Sequence, residues 1–302
     1  MNISKPLVIA VASTALASGL GGYVWKESSR PPILEIYIFS LSNGRSMFIR
    51  TPEDKRILID GGPNSEIIRE LTKIIPFYSH YIDMIMATNT DGKNVSGLID
   101  VVERYKVNQA FVPAVTLETV GLASSTDQIY STFIDTLNIE NIKTDKVLAD
   151  DNIVLDGKVS IKSIFPIKDS DFTYSKTSSP EVLFNISFGS TNITFLGSAS
   201  NKTQRAIVFS PSSTLGDADV LVVSHSALPE NIYSQLINEI KPEYLVYSRK
   251  VTNKSTVLRA KAKKEVIDPL AYIKDDKKFN LKEKGTVKIT SDGKTVKVVN
   301  WE

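Results

Sequence analysis

The sequence contains no cysteine and only two histidines, His80 and His225. Without cysteine there can be no disulfide bond, no thiolate metal site and no cysteine nucleophile. Zinc hydrolases draw most of their ligands from neutral imidazole, so two histidines leave very few ligands for a metal centre of that kind. The composition therefore argues against an ordinary zinc enzyme.

An excess of charge of one sign is also lacking. The chain has 36 basic and 34 acidic residues, a formal net charge of +2. No overall electrostatic field therefore favours nucleic acid or acidic substrates. With 302 residues, 42% of them hydrophobic and 23% charged, the composition is that of a globular protein with a sizeable core.

Residues 6–25 contain no charged side chain. A helix of about 20 apolar residues can cross a hydrocarbon layer of roughly 30 Å, and Tyr23 and Trp25 suit its interface. We therefore expect residues 1–30 to be a single-pass membrane anchor with a short linker, and residues 31–302 to be one domain. The alternative is a cleaved signal peptide, because Ala15-Leu16-Ala17 is typical of a cleavage site. The flanking charges do not fix the orientation, and we expect the domain to be extracytoplasmic.

Strand-like and helix-like segments alternate through the rest of the chain. An early run of strands is predicted at Ile33–Ser40, Ser46–Arg50, Arg56–Asp60 and Ile82–Ala87. The polar stretch Thr88–Ser96 is interpreted as a loop before a helix that begins near Leu98. Thr286–Val299 is predicted to be a hairpin, because Asp292-Gly293 is a strong turn signal. This pattern favours layered sheets with helices outside them.

Several framework motifs occur in a fixed order: Asp60-Gly61-Gly62, Gly97-Leu98, Gly189, Gly197 and Asp217-Ala218-Asp219. With the segments around them they resemble the metallo-β-lactamase-like domain attached to the ComEC/Rec2 competence proteins. The resemblance extends from Ile33 to the C-terminus. It implies an αββα sandwich of two mixed sheets, with a metal site along one edge where loops after the strands meet.

The motifs that carry metal ligands depart from the family pattern. A His-x-Asp-x-Asp-His cluster in the family corresponds to Asn89, Asp91, Lys93 and Asn94. The family's Gly-Asp is Gly197-Ser198, and its His-His-Gly-Ser keeps only one imidazole, His225. By this resemblance, the degenerate pocket consists of Asp60, Asn89, Asp91, Lys93, Asn94, Ser198 and His225, with no catalytic residue.

Asp91 and His225 are the only strong ligands left in this pattern, whereas catalytic zinc needs about three. We therefore expect no metal cofactor, and zinc or manganese only if a non-standard or single-metal site exists. The ammonium group of Lys93 would oppose a dication by about 4 kcal/mol at 4 Å and an effective dielectric constant of 20. A family Gln-Gly-Asp corresponds to Asn43-Gly44-Arg45. Our hypothesis is that Lys93 and Arg45 replace the lost metal charge beside Asp60 and Asp91.

Two classes of function follow. The favoured interpretation is an inactive relative of the hydrolases with a binding or scaffolding role at a membrane, in the setting of competence and DNA uptake. The alternative is an active metal-dependent hydrolase that resembles phosphodiesterases. Arg249–Lys264, which holds seven cations and no acidic residue, suggests contact with DNA or lipid phosphates. A membrane-protein partner is the other expected class.

Overall fold

The computed structural model describes residues 32–114, 125–148, 150–166, 181–210, 215–223, 232–248 and 269–301, with the side chains of 125–127 left out. The chain divides into two compact units, Met1–Pro32 and Ile33–Glu302. The predicted anchor, His225 and the basic segment Arg249–Lys264 lie outside the described residues. Within the described residues, no helix is both long and apolar enough to span a membrane.

The described residues of the second unit form two mixed β-sheets. The first sheet has eight strands in the order β15-β14-β1-β2-β3-β4-β5-β6. They are β1 Leu34–Ile38, β2 Met47–Arg50, β3 Arg56–Ile59, β4 Tyr81–Met86, β5 Lys106–Pro113, β6 Lys143–Val147, β14 Val287–Ser291 and β15 Val296–Asn300.

The second sheet has seven strands in the order β13-β12-β11-β10-β9-β8-β7. They are β7 Asn152–Val154, β8 Val159–Phe165, β9 Leu183–Phe188, β10 Thr191–Gly197, β11 Val220–Val223, β12 Tyr244–Tyr247 and β13 Lys278–Asn280. The helices are α1 Glu66–Thr72, α2 Gly92–Arg104, α3 Ser125–Ile139, α4 Asn201–Phe209, α5 Ser234–Ile240 and α6 Leu281–Lys284, with a 3₁₀ turn at Asp275–Lys277.

Three apolar clusters define the layers. The largest lies between the sheets and joins residues such as Ile36 and Met47 of the first sheet to Phe184 and Val222 of the second. A second cluster packs α1, α2 and α3 on the outer face of the first sheet, and a third packs α4 and α5 on the second sheet. The expected αββα layering of two mixed sheets is therefore confirmed.

The parallel strands of the two sheets end at the same side of the sandwich. In the first sheet β3, β4, β5 and β6 are parallel, and in the second β10, β11, β12 and β13 are parallel. The residues that follow β3, β4 and β10 share hydrogen bonds with Arg45. We call this side the strand-end edge, and the opposite side the strand-start edge.

One predicted boundary was wrong. Helix α2 begins at Gly92, inside the stretch that the sequence suggested was a loop. The side chain of Asp91 accepts a hydrogen bond from the backbone N–H of Lys93, which caps the helix. The first turn is polar because it faces the strand-end edge, so the apolar periodicity begins one turn later.

Candidate functional site

Arg45 is the centre of the candidate site at the strand-end edge. It belongs to the loop between β1 and β2, and only 9% of its surface is exposed. The loop is fixed at two points. Ser42 donates its backbone N–H and its hydroxyl to Oε2 of Glu66 at 2.9 and 2.8 Å. Gly44 has φ +65°, and a Cβ there would lie 1.8 Å from the carbonyl oxygen of Lys93. The loop therefore rests directly on the first turn of α2.

The guanidinium of Arg45 connects the two sheets. Its Nε donates to Oδ2 of Asp60 at 2.7 Å, and Nη2 donates to the hydroxyl of Thr88 at 2.6 Å; both residues follow strands of the first sheet. Its Nη1 pairs with Oε1 of Glu181 at 2.6 Å and donates to the hydroxyl of Ser198 at 3.3 Å; these two residues precede and follow strands of the second sheet. The guanidinium therefore has charged or polar partners in both layers.

The arginine also packs on an aromatic ring. Its Cζ lies 5.3 Å from the ring centroid of Phe195 in β10, a distance typical of a cation–π interaction. Burial alone would lower the pKa of Arg45, but the carboxylates of Glu181 and Asp60 outweigh it and raise that pKa above its usual value. The side chain is therefore a permanent buried cation.

Asp60 is completely buried and directly follows β3. Its φ of +56° lies in the left-handed region, which aspartate tolerates better than most residues. One carboxylate oxygen accepts the backbone N–H of Thr88 at 2.8 Å, and the other accepts its hydroxyl at 2.7 Å. Burial raises the pKa of Asp60, while Arg45 and Thr88 act in the opposite direction.

Glu181 and Thr88 were not predicted from the sequence. The backbone N–H of Val182 donates to the carbonyl of Thr88 at 2.6 Å, which holds Glu181 opposite the first sheet. Oε1 of Glu181 also accepts the backbone N–H of Ser198 at 3.0 Å. The sequence feature that could have identified Glu181 is its position as an acidic residue directly before the apolar run Val182 to Phe184. With Arg45, the two carboxylates make a cluster of net charge −1.

The loop after β4 brings the other predicted residues together. Oδ1 of Asn89 accepts the backbone N–H of Asp91 and the side-chain amide of Asn94, each at 3.1 Å. Both asparagines are buried. Nζ of Lys93 lies 2.9 Å from Oδ2 of Asp91, with side chains 41% and 29% exposed. Arg45 therefore compensates the negative charge of Asp60, whereas Lys93 forms a separate, partly hydrated ion pair with Asp91.

Backbone contacts fix the same loops. The N–H of Gly61 donates to the carbonyl of Asn94 at 2.6 Å, and the N–H of Gly97 donates to the carbonyl of Gly62 at 3.1 Å. A Cβ on Gly97 would lie 2.0 Å from the carbonyl oxygen of Gly61. Only glycine allows α2 to approach the β3–α1 loop this closely.

The described donors do not fit a zinc or manganese ion. The amide groups of Asn89 and Asn94 bind each other, Asp91 is paired with Lys93, and Asp60 is paired with Arg45. In the described ranges, no three His, Asp or Glu side chains form a group that could hold a metal. His225, the retained imidazole, lies outside those ranges.

An apolar cleft opens beside the arginine. Its volume is about 20 Å³, room for about one water molecule, and its walls include Met47, Phe195, Val222 and Leu281. Arg45 and Asp60 also line it. Ligand sites also combine apolar walls with a few fixed polar groups, but they enclose about 300–1,000 Å³, so this cleft is too small for a ligand in the present structure.

No family model and no curated protein sequence matches the chain. Solved structures with the metallo-β-lactamase fold are similar to it. One is the metallo-β-lactamase fold protein YhfI from Bacillus subtilis, with 10% sequence identity and a TM-score of 0.48; the match covers 82% of this chain and 95% of that one. Zinc-bound PqqB from Methylobacterium extorquens has 13% identity and a TM-score of 0.46, with coverage of 70% and 88%. A diphosphatase from the PhnP family has 14% identity and a TM-score of 0.44, with coverage of 71% and 86%.

Proposed function

We propose that this chain is a membrane-anchored, non-hydrolytic relative of the metallo-β-lactamase-like hydrolases, with a binding or scaffolding role. The observation that carries the proposal is the position of Arg45. Its guanidinium is bound by Asp60, Thr88 and Ser198, which follow β3, β4 and β10. By the resemblance, Asp60 is the family's supporting carboxylate and Ser198 stands at a metal-ligand position, while Thr88 directly precedes the first residue of the ligand cluster, Asn89.

A fixed cation at this place opposes the chemistry of a metal hydrolase. A dication lowers the pKa of bound water and so creates the nucleophile. The guanidinium of Arg45 has no open coordination position and repels any second cation placed near it. Ser198 is hydrogen-bonded to both Arg45 and Glu181, and an imidazole base is lacking in the described part of the site.

The binding or scaffolding role follows from the loss of hydrolytic chemistry. The cleft beside Arg45 does not carry it, because its volume of about 20 Å³ holds about one water molecule. The setting at a membrane, and a link with competence and DNA uptake, come from the sequence alone and are part of the proposal.

The test is metal content and turnover of the full chain purified in detergent. After incubation with zinc or manganese and dialysis, we expect far less than one equivalent of metal per chain, and no phosphodiesterase turnover above background. One tightly held equivalent, lost in the variant His225→Ala together with turnover, would establish the alternative hydrolase instead.

A further inference from the structure

The exposed apolar side chains of the domain are concentrated at the strand-start edge. Eight large hydrophobic side chains are exposed in the described residues. Five of them lie at this edge, either in the last residue of β7 or in segments that lead into β4, β6 and β13: Phe77, Tyr78, Ile139, Val154 and Tyr272. Single exposed apolar residues need no explanation, but a concentration on one side does.

Phe77 and Tyr78 are the most prominent of the five. They are 89% and 77% exposed and lie in the loop between α1 and β4. Their rings pack edge to face on each other, with centroids 5.5 Å apart and an interplanar angle of 79°. An aromatic pair that contacts mainly itself presents a large apolar surface to its surroundings.

The loop that carries this pair is tied to the domain. The N–H of Ser79 donates to the carbonyl of Pro76 at 2.8 Å, and the N–H of Lys106 donates to the carbonyl of His80 at 2.9 Å. Arg56 donates to the hydroxyl of Ser79. The pair therefore projects from a fixed base beside the starts of β3, β4 and β5.

The chain passes into the domain at the same edge. Leu34, the first residue of β1, pairs with Ser291 at the end of β14. The next residue, Glu35, pairs with Arg50 at the end of β2, and Arg50 pairs with Arg56 at the start of β3. Strand β1 therefore starts beside the start of β3, at the edge that carries Phe77 and Tyr78.

The length of chain before β1 limits the distance from the apolar segment. Eight residues, 26 to 33, separate Trp25 from Leu34, the first residue of β1, and the nine Cα–Cα steps between those two residues span at most about 32 Å when fully extended. If residues 6–25 lie in a bilayer, the start of β1 lies within that distance of its surface.

We infer that the strand-start edge of this domain rests on a lipid bilayer, with Phe77 and Tyr78 in the interfacial layer. Aromatic side chains favour that layer because their rings suit its mixture of apolar and polar groups. The strand-end edge, with Arg45 and its cleft, then faces away from the lipid. This inference rests on the membrane anchoring in the proposed function.

The absence of cysteine makes the test direct, because one introduced cysteine is the only labelling site. Three variants of the full chain, Tyr78→Cys, Ile139→Cys and Leu148→Cys, would carry the environment-sensitive dye NBD. The last two are a matched pair. Ile139 and Leu148 are 74% and 54% exposed and flank β6, whose five residues place them about 16 Å apart along the strand.

Each labelled chain would be reconstituted into vesicles of phosphatidylcholine and phosphatidylglycerol, with and without nitroxide-labelled lipid. We expect the label at residue 78 to show blue-shifted emission and to lose most of its intensity to the nitroxide lipid. The label at residue 139 should be quenched less, and the label at residue 148 should emit as in water, unquenched.

Equal, water-like emission from all three positions would overturn the inference. A second result would also overturn it: blue-shifted emission at residue 78 that the nitroxide lipid does not quench and that occurs only at high protein concentration. That result would mean that a second copy of the chain, not lipid, covers the label. Extraction of the vesicles at high pH tests the anchor separately. A chain released by extraction refutes the anchoring, whereas a retained chain with a water-like label at residue 78 refutes only the docking.

Discussion

Replacing Arg45 by methionine should strongly destabilise the domain. The change removes one buried cation and leaves two carboxylates, on side chains that are 1% exposed at Asp60 and 12% exposed at Glu181. Removing one partner of a buried ion pair costs about 3–5 kcal/mol, because the other charge is left without compensation. Methionine keeps much of the aliphatic volume, so a packing defect contributes little to this difference.

The measurement is urea unfolding of the fragment Arg30–Glu302, since the chain divides after Pro32. With a urea slope of about 2–3 kcal/mol/M for a domain of this size, the midpoint should fall by about 1–2 M. Arg50→Met is the matched control. Its guanidinium is 35% exposed and pairs with Glu35, which keeps Lys288 as a second partner, so the expected loss is about 0–1 kcal/mol.

A double variant separates charge from packing. Arg45→Met combined with Asp60→Asn removes one of the stranded charges and should recover a measurable part of the loss. Lowering the pH should also recover part of the stability lost in Arg45→Met. Burial raises the pKa of Asp60 and Arg45 acts against that rise, so the pKa is higher still in Arg45→Met. The folded variant therefore takes up a proton at a higher pH than the parent does, and its stability deficit should narrow as the pH falls from 7.

The reasoning is refuted by either of two results. One is a loss for Arg45→Met no greater than that for Arg50→Met, which would mean that the guanidinium is effectively hydrated. The other is strict additivity of Arg45→Met and Asp60→Asn, which would mean that the two groups do not interact.

Three further predictions concern neighbouring features. Lys93→Ala should lower the free energy of unfolding by only about 0–1 kcal/mol, because both side chains of the pair with Asp91 are partly exposed; a loss above 3 kcal/mol in urea would contradict this. Gly44→Ala should lower the thermal midpoint well beyond Gly157→Ala, since both need positive φ but only Gly44 has a carbonyl 1.8 Å from the added Cβ; equal shifts would refute the close contact. Burial acts to raise the pKa of Glu35, but Lys288 and Arg50 lower it overall. The stabilisation from the ionised Glu35 is therefore present above the unfolded pKa of about 4.3 and is lost as the pH falls through the lowered folded pKa. Glu35→Gln should therefore reduce the loss of unfolding free energy at acidic pH, and an unchanged loss would show that the ion pairs of Glu35 contribute nothing.

Much of the fold could be predicted because its central strands are apolar and its turns carry glycine. The hairpin at Asp292-Gly293 and the buried strand β4 are examples. Strands β6 and β7 were missed because they lie at sheet edges and their sequences are largely polar or short. Edge strands bury little surface, so their hydrophobic pattern is weak.

The site was only partly predictable for a different reason. Asp60 and Ser198 were named because the motifs Asp60-Gly61-Gly62 and Gly197-Ser198 match positions in the resembled family. Glu181 was missed because its role depends on a pairing between sheets that are far apart in sequence, through the bond from Val182 to Thr88. Our hypothesis from the sequence was that Arg45 and Lys93 together replace the lost metal charge, but only the folded geometry shows which carboxylate each cation reaches.

The contact between Gly61 and Gly97 separates the shape of the strand-end edge from its contents. The backbone alone holds the β3–α1 loop against α2, through bonds that involve no side chain at positions 89, 91 or 93. This backbone contact therefore does not depend on those side chains, although a replacement for Asp91 would also have to cap α2. An engineer who wished to install new ligands at this edge would begin with a frame that is already in place, and would need first to remove two cations, Arg45 and Lys93.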